Sequence, residues 1–82
     1  MNKITEEKWS YILLDDDGLL LLSVLCGTVG IYDTNIYLNE YEEGQYKVSG
    51  EAYIKELAGK IRMSPKSYHD RHVRIDYSQI KE

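Results

Sequence analysis

Eighty-two residues, 43% of them apolar and 29% charged, fit one small globular domain and exclude both a disordered chain and a bilayer-spanning helix. The net charge of −4 repels phosphate backbones at long range, so nucleic acid is not the expected partner. A single cysteine, Cys26, leaves no intramolecular disulfide and suits a reducing, cytoplasmic compartment.

Residues 1–7 are polar and read as a frayed end, as do residues 76–82. Lys8–Leu14 alternates as a strand, with Trp9, Tyr11 and Leu13 on one side and Ser10, Ile12 and Leu14 on the other. Asp15-Asp16-Asp17-Gly18 is a hairpin signal, because Asp-Gly supplies the positive φ angles that tight turns require. The acids lack the alternating ligand spacing of a calcium loop.

Leu19–Cys26 (Leu-Leu-Leu-Leu-Ser-Val-Leu-Cys) follows as the second strand. Leu20, Leu22, Val24 and Cys26 face one way, and Leu19, Leu21 and Leu25 the other. A strand apolar on both faces asks to be covered twice. Its leading acids also argue against an export signal, which needs positive charge before the apolar run. Gly27-Thr28-Val29-Gly30 reads as a turn or bulge. Ile31–Leu38 is the third strand, with Tyr32, Thr34, Ile36 and Leu38 opposing Asp33, Asn35 and Tyr37.

The apolar period then becomes helical. Asn39 with Glu42 three residues on forms a capping box. Gly44 and Gly50 weaken the helix, predicting a break near Val48-Ser49 with Ser49 as a second cap. Tyr53, Ile54, Leu57, Ala58 and Ile61 form the apolar stripe of the stronger part, Glu51–Arg62. Ser64-Pro65 starts a short helix over Lys66–His72, with Ser64 as N-cap. Val73–Glu82 is ambiguous between an edge strand and coil.

The predicted fold is α+β, in a single domain over residues 1–82. A three-stranded antiparallel meander is followed by one main helix packed on the sheet and a short C-terminal helix. The helix covers one sheet face and leaves the other open for a partner.

No residue pattern demands catalysis. His69 and His72 could offer two positions to a metal, or a proton relay through Asp70, but zinc needs three or four ligands and no second cluster exists. Neither a metal nor another cofactor is expected, and the chain is expected not to be an enzyme. Lys60, Arg62, Lys66, Arg71 and Arg74 with Tyr68 form a basic, partly aromatic stretch that reads as a solvated face. Residues 1–45 hold nine acids against two lysines, a charge of −7, whereas residues 46–82 carry +3. An acidic half suits a basic protein partner. Eight tyrosines and no phenylalanine suit an interface, and Trp9, Tyr11 and Tyr37 could form an aromatic patch rimmed by acids.

Gly27-x-x-Gly30-x-Tyr32, Leu38, Glu42, Tyr46, Gly50, Tyr53-Ile54, Leu57-Ala58, Ile61-Arg62, Pro65 and Tyr68 together resemble small single-domain bacterial immunity proteins of polymorphic and contact-dependent toxin systems. The resemblance spans about residues 9–71. It implies a cytoplasmic, non-enzymatic protein that occludes a toxin domain. The residues expected to meet that partner are Asp15, Asp16, Asp17, Asp33, Tyr37, Glu40 and Glu43. The alternative expectation is a homodimer through the open sheet face, with a structural or regulatory role.

Overall fold

The computed structural model describes residues 1–27 and 32–80. Four strands, β1 (Asn2–Glu7), β2 (Tyr11–Asp16), β3 (Leu19–Cys26) and β4 (Tyr32–Tyr37), form one antiparallel meander in chain order. Two helices follow, α1 (Glu40–Ser49) and α2 (Glu51–Met63), then a 3-10 helix at Pro65–Arg71 and a 3-10 turn at Tyr77–Gln79. Apart from Gly27, the predicted glycine turn lies outside the described residues, as does Ile31 at the expected start of the third strand.

The architecture is α+β as expected, with one more strand than the sequence indicated. Asn2–Glu7 is not frayed. Its single isoleucine gives little apolar alternation, so pairing along β2 makes it a strand, from Asn2↔Asp15 to Glu7↔Tyr11. A bulge between Lys3 and Thr5, together with charged side chains, blunts this edge against further pairing.

The expected strand Lys8–Leu14 is shifted along the chain. Residues 8–10 belong to a turn closed by the Ser10 amide donating to the Glu7 carbonyl at 2.9 Å. The Asp-Gly hairpin forms as read. Asp17 at φ 53° and Gly18 at φ 90° join Asp16 to Leu19 in a two-residue turn with both φ angles positive. The Gly18 amide is held by Asp15 Oδ1 at 2.8 Å.

β3 is central, paired with β2 and β4. The register places Tyr11, Leu13, Leu22, Val24, Cys26 and Ile36 on a first face, in one buried core with Ile54, Leu57, Ala58 and Ile61 of α2. Tyr53 lies at the margin of this core. Each fully buried aliphatic side chain contributes about 1.5–3 kcal/mol, so this stripe-on-sheet contact dominates the stability of the fold.

Asn39 caps α1 through the expected box, exchanging 2.9 Å hydrogen bonds with Glu42. The helical stretch breaks at Gly50, one residue beyond the predicted Ser49. There φ is 65° and no side chain caps α2, so backbone conformation decides the break. Ser64 stands at the N-cap with Pro65 in the first turn, as read, but its side chain makes no capping hydrogen bond. Ser64 Oγ meets Ser67 Oγ at 2.9 Å, and the following helix is 3-10 instead of α.

The second face of the sheet is where the sequence reading departs most from the structure. It was expected to stand open, and the chain's own C-terminal segment crosses it. That segment is neither an edge strand nor frayed up to Ile80. The Asn35 amide donates to His72 Nδ1 at 3.1 Å, the Val73 amide to the Asn35 carbonyl at 2.8 Å, and Asn35 Nδ2 to the Val73 carbonyl at 3.1 Å. Farther on, the Tyr77 hydroxyl reaches Ser23 and Asp33, and the Gln79 carbonyl accepts from the Met1 ammonium at 3.4 Å. On this face Leu14 and Leu21 are 0% and 1% exposed. Two covered leucines outweigh any one of these hydrogen bonds, each worth about 1 kcal/mol. Burial therefore drives the tail down, and the hydrogen bonds set where it lies.

Candidate protein-binding surface

The seven expected contact residues divide between the two ends of the sheet. Six sit at the end where the β2–β3 hairpin and the start of α1 lie. Asp15 and Asp17 shape the turn. Asp16 accepts the Tyr37 hydroxyl at 2.6 Å, and that hydrogen bond, with burial, pushes the tyrosine above its ordinary pKa. Glu40 and Glu43 stand in the first turn of α1, where the helix dipole favours them. These roles are local and structural. They leave Asp17 and Glu40 exposed as negative charge.

Asp33 lies at the other end, opposite Leu25 in the register. There it joins Glu6, Glu7, Trp9, Ser10, Ile12, Leu25 and Tyr77 around a groove of about 200 Å³. Asp33 accepts a short hydrogen bond from the Tyr77 hydroxyl, which also meets Ser23 Oγ at 3.2 Å. Burial and the Asp33 carboxylate raise the pKa of this tyrosine, and Ser23 works against them. Isoleucine, leucine and two aromatics on a rim with carboxylates make a surface that can seat an amphipathic group.

Trp9 is the unusual member. It occupies the third position of the Glu7–Ser10 turn at φ 66°, a left-handed conformation that favours glycine or asparagine. It is also 78% exposed. The expected patch of Trp9, Tyr11 and Tyr37 does not assemble. Tyr11 is buried in the first-face core, with its hydroxyl donated to Glu51 at 2.7 Å. Burial first, then Glu51, pushes that hydroxyl far above the ordinary tyrosine range. Tyr37 is at the far end of the sheet with Asp16. Sequence reasoning missed the groove because Tyr77 and Asp33 are brought together across 44 residues, with no local signal for the contact.

His69, Asp70 and His72 fall at the end of the Pro65–Arg71 helix and just beyond it. His72 holds the β4 edge through the Asn35 amide. His69 and His72 flank a second groove, of about 340 Å³, with Tyr32, Asp33, Thr34, Pro65 and Lys66. Among the described residues no three His, Cys, Asp or Glu side chains gather as a metal-holding group. Cys26 is buried, its thiol directed to the Val24 carbonyl and Thr34 Oγ1. No helix among the described residues is long and apolar enough to cross a membrane.

Comparison with known family models, curated proteins and solved structures finds no match to this chain.

Proposed function

We propose that the protein is a non-enzymatic binding module that occludes a protein partner, most concretely an immunity-type inhibitor of a toxin domain. One observation carries the reading: Trp9 is held exposed in a left-handed turn position beside an apolar, acid-rimmed groove. A bulky residue with positive φ costs the fold on the order of 1 kcal/mol, and an indole left in water returns little of it. The residue suits a contact outside the chain, where tryptophan is among the strongest anchors. The charge of −7 over residues 1–45 supports a basic partner drawn in by long-range attraction.

Co-expression tests this reading. Cells expressing a toxic reading frame adjacent to this gene are expected to grow when the protein is supplied and to fail when it carries Trp9→Ala. A neighbourhood with no toxic product contradicts the immunity role. Rescue that survives Trp9→Ala contradicts the surface. The homodimer alternative drew on an open second face. With the tail lying across it, the apolar surface left there among the described residues is Leu19, 54% exposed, and the groove beside Trp9. A molar mass of 9.6 kDa by light scattering at all concentrations excludes that alternative.

A further inference from the structure

We propose that the groove beside Trp9 takes an arginine side chain presented by the protein partner, its guanidinium on Asp33 and its plane against the aromatic walls. The proposal rests on the binding-module reading and specifies the chemistry of its contact.

Charge selects the occupant. Among the described residues three carboxylates line the groove and no lysine or arginine does. Glu6 is engaged by Lys3 at 2.9 Å, and Glu7 by Lys55 at 3.8 Å. Arg62 lies behind the wall, spent on Ser10 Oγ at 2.6 Å and the Leu25 carbonyl at 3.3 Å. Asp33 makes no ion pair among the described residues. Its Oδ2 accepts from Tyr77, and among the described residues no donor reaches Oδ1, which can take a second one. Leu25 and Ile12 beside it lower the local dielectric, so a cation here gains more than on an open surface.

Shape selects arginine over lysine. Trp9 and Tyr77 both line the groove. A guanidinium is planar and weakly hydrated, and it stacks on aromatic faces while forking onto a carboxylate. An ammonium gives up more hydration to enter the same space and cannot stack.

The test is a titration of the isotopically labelled full chain, followed by amide and indole resonances. The probes are N-acetyl-arginine methylamide, its lysine analogue and its uncharged citrulline analogue. Saturable shifts at Leu25, Asp33, Tyr77 and the Trp9 indole are expected with the arginine probe, weaker ones with lysine and none with citrulline. Asp33→Asn is expected to lower the affinity about tenfold while resonances away from the groove stay in place. Equal shifts with citrulline, or shifts confined to Asp17, Glu40 and Glu43, overturn the assignment. An equal response to lysine overturns the choice of arginine. If Trp9-dependent rescue succeeds and the arginine probe leaves the groove unmoved, this assignment fails while the binding-module reading stands. If the probe binds and no neighbour is neutralised, the reading fails and the assignment stands.

Discussion

Tyr77 and Ser23 meet hydroxyl to hydroxyl at 3.2 Å across 54 residues of sequence, and this contact anchors the tail on the second face of the sheet. Removing residues 75–82 is expected to uncover Leu14 and Leu21, at about 1.5–3 kcal/mol each. Against a total of about 5–15 kcal/mol, that loss leaves a sticky, marginal domain. Dye binding to exposed apolar surface and light scattering should both rise. Tyr77→Phe is the milder change, expected to cost about 1 kcal/mol in urea unfolding.

Arg71 clamps Glu42 with both guanidinium arms and donates a further hydrogen bond to the Tyr37 carbonyl at 2.8 Å, joining the 3-10 helix to α1 and β4. Arg71→Ala strands a carboxylate only 8% exposed. The expected loss is about 2 kcal/mol, below the figure for a fully buried pair because Arg71 is itself partly open to solvent.

The same pair sets an acid limit. Burial pushes the Glu42 carboxyl up, but the hydrogen bonds from Arg71 and the Asn39 amide outweigh it and hold the group below the usual carboxylate range. A depressed folded pKa means stabilisation that is complete above the unfolded value of about 4.3 and lost as pH falls through the folded value. The stability gap between the native chain and Glu42→Gln should therefore be widest near neutrality and shrink below pH about 4.3. A gap that does not change with pH contradicts the account.

Gly18→Ala separates conformation from space. A Cβ at Gly18 meets nothing within 4 Å, so any cost comes from its φ of 90°. About 1 kcal/mol of destabilisation is expected in thermal or urea unfolding.

The parts of the fold legible in the sequence are those set by neighbours in the chain. The Asp17-Gly18 turn, the two-faced Leu19–Cys26 strand, the Asn39–Glu42 box and the Ile54–Ile61 stripe each carry their own local reason. Asn2–Glu7 does not, because its pairing is supplied by β2. Nor does the tail, whose course depends on Tyr77 and Val73 finding partners in β3 and β4. That unseen cover closed a face the sequence left open. The candidate surface was half legible: Asp33 and Trp9 stood out as residues, but only the fold puts them together.

Trp9→Asn tests whether the turn bears strain on behalf of a contact. Asparagine accepts positive φ readily and Trp9 makes little of the core, so this variant is expected to be as stable as the native chain or up to about 1 kcal/mol more so. It should lose the partner all the same. A marked loss of stability makes Trp9 a structural residue.

The most direct measurement reads Trp9 itself. It is the only tryptophan in the chain, so 5-fluorotryptophan labelling gives one fluorine resonance. Adding the partner identified by rescue should move that resonance from a solvent-exposed position to a buried one, saturating at equal stoichiometry. A complex that forms while the Trp9 resonance stays at its free position contradicts the central claim that this end of the sheet is the binding surface.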